Sequence, residues 1–212
     1  MKTLPRPFIA IIALCCLIEA ALSLAPLLGA PVGVRQLVFA LGGFWPAIVG
    51  TGRGVYPFQD LAMFVSYGLL HAGLAHLAMN MLSLAVLVRE MAPALSTARL
   101  LAIYAVAQVA GALLFWQMHP IGGPMVGASG AVFGLAGALF GFAVVRYRAR
   151  GLPMGGLMRS AAILIGLNLI LTVLMPSVAW QAHLGGALAG LVMGAVYGAM
   201  PPPQRKPMRA PR

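Results

Sequence analysis

Ser129, His183, His76 and Asn80 are the side chains whose types and spacing could do chemistry together. Ser129 stands in Gly127-Ala128-Ser129-Gly130. A serine hydroxyl becomes a nucleophile when a neighbouring base, usually an imidazole, takes its proton. A serine that opens a helix also meets unpaired backbone N–H groups and the positive end of the helix dipole, which favour a developing oxyanion. Gly127 and Gly130 let backbone or substrate come close. His76 and Asn80 are four residues apart, about 40° around a helix, so both can donate to one oxyanion. His71 is nine residues from Asn80 and about half a turn away, so it shares that face only if the helix starts after it, near Gly73. The chemistry this set permits is acyl transfer.

The rest of the composition narrows the mechanism. The acids are only Glu19, Asp60 and Glu90. None is placed by sequence beside His183, so a Ser129–His183 dyad is the economical reading. His71 and His76 are five apart, His-Glu-x-x-His is missing and carboxylate ligands are scarce, so no metal and no cofactor is expected. Cys15 and Cys16 are adjacent within an apolar run and read as membrane packing.

These groups need a scaffold, and the composition names its class. Apolar residues make up 61% of 212 and charged residues 8%, with 14 Lys or Arg against 3 acids, net +11. A soluble domain carries about 25% charged residues, so the composition argues against both a water-soluble fold and a basic nucleic-acid binder. The sequence reads as an all-α polytopic membrane protein. Residues 1–7 form a cytoplasmic N-terminus. Residues 8–200 form a six-helix membrane domain, with spans at about 8–28, 67–88, 100–118, 128–146, 159–175 and 180–199. A break is expected near Pro176-Ser177. Residues 29–60 are apolar but rich in Gly and Pro, and read as an interfacial first loop, with Phe44, Trp45 and Tyr56 suited to the headgroup level. Residues 201–212 form a basic, Pro-rich cytoplasmic tail, expected to be disordered near anionic lipid. The first span is too long for a signal-peptide core and holds Glu19, so it reads as a retained anchor.

Orientation follows from the cations. With the N-terminus inside, 12 of the 14 fall in cytoplasmic loops and only Arg35 and Arg53 lie outside. Both termini are then cytoplasmic, as in a bacterial inner (plasma) membrane. The second, fourth and sixth spans run from outside to inside. His76 lies about 20 Å above the inner boundary marked by Arg89, and Ser129 about 25 Å above Arg146, at 1.5 Å per residue. Ser129 and His183 are near the outer ends of their helices. Three distant stretches thus bring polar groups to one depth, where polar groups are expensive and functional by default. Gly130, Gly134, Gly137 and Gly141 in the fourth span face Gly186, Gly190, Gly194 and Gly198 in the sixth. Small residues at such spacing let helix backbones approach in lipid, so the two helices are expected to touch and join Ser129 to His183.

The residues resemble the rhomboid family of intramembrane serine proteases. His-x4-His-x3-Asn appears as His71, His76 and Asn80; Gly-x-Ser-Gly as Gly127, Ser129 and Gly130; His-x2-Gly-x3-Gly as His183, Gly186 and Gly190. Order, spacing and helix count agree over about residues 5–200. The resemblance implies Ser129 as nucleophile, His183 as general base, and His76, Asn80 and the Ser129 backbone N–H as the oxyanion hole. His71, Gly127, Gly130, Gly186 and Gly190 are then structural residues near the site. Glu90 resembles a frequent acid after the second helix and would order the inner loop. There is one departure. Many members carry Trp-Arg in the first loop, where this chain has Ala62 and Met63; Arg53 is a candidate substitute.

The expected function is a serine endopeptidase that cuts single-pass transmembrane substrates near their outer end, with no nucleic-acid or metal partner. The alternatives are a catalytically inactive relative that binds membrane proteins, and a proton-coupled transporter with a histidine relay. Against the last stand the outer clustering and the lack of paired acids. His119 reads as a solvated loop residue. Asn168 and Thr172 read as interhelical hydrogen-bonders. Glu19 is left between a protonated state and a bonded one.

Overall fold

The computed structural model describes residues 3–174 and 178–201. The side chains of Asn168 and Thr172, the break at Pro176-Ser177 and the tail beyond Pro201 lie outside the described residues. Among the described residues eight α-helices follow in order: α1 Arg6–Leu24, α2 Val34–Gly42, α3 Gln59–Ser66, α4 Leu74–Met91, α5 Thr97–Met118, α6 Ser129–Ala149, α7 Gly155–Leu174 and α8 Trp180–Ala199. Among the described residues five segments are long and apolar enough to cross a membrane: Arg6–Leu28, Leu74–Met91, Thr97–Met118, Ser129–Ala149 and Trp180–Ala199. With α7 in the place of the remaining expected span, the fold is an all-helical, multi-pass membrane bundle.

The helix ends have local causes. Pro26 turns the end of the first span into a 3-10 turn, Ala25–Leu28, closed by Gly29 at φ 77°. Ser96 caps α5, its Oγ accepting from the Arg99 N–H at 3.4 Å. Such a cap satisfies a backbone donor that lipid would leave unpaired. The second span differs most from its expected range. It begins at Leu74, not near 67, because Tyr67–Leu69 is a separate 3-10 turn and Gly73 at φ 124° and ψ 167° precedes the helix. With that late start His71 lies before the helix, so helical angle no longer sets it apart from the His76–Asn80 face.

The first loop is more ordered than its Gly and Pro content suggested. It holds α2, a 3-10 turn at Pro46–Ile48, and α3 at its end. Gln59 anchors it from within: Nε2 donates to the carbonyls of Ala40 (2.7 Å) and Leu41 (3.2 Å), and Oε1 accepts from the Val55 N–H. Tyr56 Oη donates to the Leu41 carbonyl and Ser66 Oγ to that of Gly42. Phe44 and Met125 exchange two backbone hydrogen bonds of 2.9 Å. Met63 is fully buried among Phe44, Tyr67 and Phe115, so at that position apolar packing holds the loop. Arg53 is exposed, with its backbone N–H bonded to Thr51 Oγ1, and does not serve as the anchor.

The core lies where α6 meets α8. A Cβ at Gly186 would collide with the Gly130 carbonyl oxygen, one at Gly190 with that of Gly134, and one at Gly194 with that of Ala138. Both sets of numbers rise together, so α6 and α8 run parallel with backbones in contact. In lipid such a seam gains from dispersion and close fit, since there is no water to expel. α5 runs antiparallel against α8: Gly111 faces the Ala182 carbonyl and Gly185 that of Ala110. A second packed region, including Phe8, Cys15, Leu84, Leu100, Ile103 and Leu135, joins α1, α4, α5 and α6. At the opposite end from Ser129, Arg146 donates to the Met200 carbonyl (3.0 Å) and the Arg99 guanidinium lies 5.1 Å from the Tyr197 ring centre.

Candidate active site

The parallel seam sets the site. Ser129 is the first residue of α6 and His183 the fourth of α8, so two helix N-termini point the same way. The close approach at Gly130 and Gly186, one helical turn or less below, brings the side chains together. His183 Nε2 lies 2.9 Å from Ser129 Oγ. That distance suits proton transfer between hydroxyl and imidazole. Ser129 is half-buried and His183 is 9% exposed.

The third helix, α4, supplies His76. Gly127 has φ 123°, a conformation that L side chains rarely adopt, and its N–H donates to the Tyr67 carbonyl at 2.9 Å. A Cβ at Gly127 would lie 2.8 Å from His76 Cε1, 2.9 Å from Nε2 and 3.8 Å from Ser129 Oγ. The glycine is therefore the gap through which the His76 ring reaches the Ser129 region. His76 Nδ1 accepts from the Ala72 N–H at 3.3 Å, which leaves Nε2 to carry the ring proton as a donor. Asn80 is buried one turn below and donates one Nδ2 hydrogen to the His76 carbonyl at 3.0 Å. Its amide has a second N–H.

The remaining sequence candidates sort by position. The His71 ring is fully buried with its centre 5.2 Å from that of His76, beside the cluster. His119 is exposed at the end of α5, its ring over Phe115. Glu90 is exposed near the end of α4. Glu19 is bonded: its carboxylate takes both terminal nitrogens of Arg35, at 2.8 and 2.9 Å. The Glu19 hydrogen bond holds the Arg35 guanidinium above its ordinary pKa.

Sequence reasoning missed two neighbours. Phe133 stacks on His183, with ring centres 4.2 Å apart and planes at 11°. It is four residues after Ser129, so the helical period alone places it on the same face. Tyr67 is buried, donates to the Gln108 carbonyl at 2.7 Å and lies against Gly130. Its signal was weaker, because it stands in a turn before α4 that periodicity read as helix.

The family model for the Rhomboid domain matches residues 59–200, from α3 through the end of α8. The chain belongs to the rhomboid family. A comparison with curated proteins finds no match. The match spans every residue of the Ser129, His183, His76 and Asn80 cluster in this rhomboid. It begins after Glu19 and Arg35, which stand outside it.

Proposed function

We propose that this rhomboid is an intramembrane serine endopeptidase that uses Ser129 as nucleophile and His183 as base. The observation that carries the reading is the 2.9 Å approach of His183 Nε2 to Ser129 Oγ, at the N-termini of two parallel helices. Ser129 Oγ attacks a substrate peptide carbonyl as His183 Nε2 takes its proton. The oxyanion meets the Ser129 N–H, the His76 Nε2–H and an Asn80 Nδ2–H. Donors fixed in place before reaction stabilise such charge without reorganising. His183 then gives its proton to the leaving amine, whose departure leaves an acyl group on Ser129. Water, deprotonated by the same imidazole, releases it. The Phe133 face against His183 holds the ring plane and favours the imidazolium formed on the way. The outer depth of the cluster, read from cation placement, fits cleavage near the outer end of a single-pass segment in a bacterial inner membrane, with both termini cytoplasmic.

The test is reconstitution in liposomes with a single-pass substrate carrying a small residue at the cut and helix-weakening residues after it. Cleavage by the wild type and none by Ser129→Ala is expected; equal cleavage by both rejects the reading. Gly127→Ala is a second check. Its methyl would push the His76 ring aside, and losing one oxyanion donor costs about 10²–10³ in kcat. Initial rates should fall on that scale with far-UV circular dichroism unchanged. A rate within twofold of wild type would remove Gly127 and His76 from the account.

A further inference from the structure

Glu19, on α1, is fully buried and has no part in the chemistry above. Its two oxygens hold Arg35, on α2 of the first loop, from both terminal nitrogens. Ser23 closes the set, donating to Glu19 Oε1 at 3.1 Å and accepting from Arg35 Nη2 at 3.4 Å. Arg35 Nη1 also donates to the His71 carbonyl at 2.9 Å. The carbonyl of His71 and the N–H of Ala72 are the two ends of one planar peptide unit. That N–H is the one that donates to His76 Nδ1. A continuous chain therefore runs from the Glu19 carboxylate through Arg35 and a single peptide to the His76 ring.

We propose that Arg35, held by Glu19, is a positioning residue for the oxyanion hole: it clamps the His71–Ala72 peptide so that His76 keeps Nδ1 as acceptor and Nε2–H as donor beside Ser129. The physical grounds are two. A cation on a peptide carbonyl polarises the amide and strengthens its N–H as a donor, as hydrogen bonds in series do in a low dielectric. A guanidinium fork binding a carboxylate with two nitrogens also fixes direction, which a single lysine charge does not. The clamp ties the first loop and α1 to α4 at the residues just before Gly73, where the backbone leaves helical geometry. Both clamp residues precede the matched residues 59–200. The activity part of this inference rests on the protease reading; the tautomer part stands without it.

The experiment is a double-mutant cycle on Arg35→Gln and His76→Ala, with kcat and KM measured in liposomes and a Ser129→Ala control. Arg35→Gln should lower kcat about tenfold or more, within the loss that removal of one oxyanion donor causes, with KM unchanged. In the His76→Ala background it should cost nothing further. Equal losses in both backgrounds, or no loss, would overturn the clamp. If Arg35→Gln does not accumulate, Arg35→Lys takes its place, with the same pattern expected and the same results contradicting it. Imidazole nitrogen shifts of ¹⁵N-histidine protein in micelles test the clamp without substrate. His76 should be the Nε2–H tautomer in the wild type and a mixture in the Arg35 variant. Unchanged shifts reject the inference whether or not the chain cleaves. A cleaving Ser129→Ala control rejects the protease reading and leaves the shifts to decide the clamp.

Discussion

Alanine at Ser129 and alanine at His183 are each expected to lower kcat by about 10⁴–10⁶, and the two together by no more than one alone. Nucleophile and base are expected to act as one unit. Without Oγ there is no atom for His183 Nε2 to activate; without Nε2, at 2.9 Å, Oγ remains a neutral hydroxyl. What would survive either change is the proposed oxyanion hole, which could still assist water weakly. KM should change little, because neither side chain is needed to hold a transmembrane segment. Single-turnover cleavage of a reconstituted substrate by the two single variants and the double variant checks this. Multiplying losses would mean that the two groups act separately, and that another residue serves as base.

The second large effect concerns the fold. Gly190→Leu is expected to destroy the α6–α8 seam. A Cβ at Gly190 already collides with the Gly134 carbonyl oxygen, and that neighbour is backbone, which cannot swing away. Overpacking a tight interface costs about 1–3 kcal/mol, occasionally more. Here it also separates the helices that carry Ser129 and His183, so stability and site geometry fail together. The measurement is the unfolding midpoint in a denaturing detergent titration, with Gly156→Leu as the control, since among the described residues nothing beyond its own stretch of helix lies within 4 Å of a Cβ there. Gly190→Leu should shift the midpoint strongly and the control hardly at all. Equal midpoints would mean that the seam is not where α6 and α8 gain their stability.

The parts legible in the sequence share a physical reason. Ser129 and His183 could be paired without coordinates because lipid limits the solutions. Spans must be helices of known rise, cations mark the inner boundary, and glycines four apart mark the face that meets a neighbour. Gly127 could be singled out as well, though its positive φ and the His76 ring beside it emerge only in three dimensions. Arg35 and Glu19 were not paired. Sixteen residues and a Gly- and Pro-rich loop separate them, and no period relates a position in α1 to one in α2. Cation placement put Arg35 on the outer side of the membrane, which says nothing of its reach back to a buried carboxylate. Arg53, the candidate substitute for the missing Trp-Arg, is exposed, and burial of Met63 and the Gln59 bonds hold that part of the loop. The start of α4 failed for a related reason. Tyr67 to Leu70 are apolar enough to continue a helix, and only the Gly73 backbone shows where the chain turns.

The central claim is that Ser129 is a nucleophile activated by His183. Its most direct measurement is covalent labelling with a fluorophosphonate in native-like membranes, followed by peptide mapping by mass spectrometry. A single phosphonyl adduct on Ser129, lost in His183→Ala, is the expected result. A wild-type protein that cleaves substrate while the adduct sits elsewhere, or forms equally well without His183, would contradict the account.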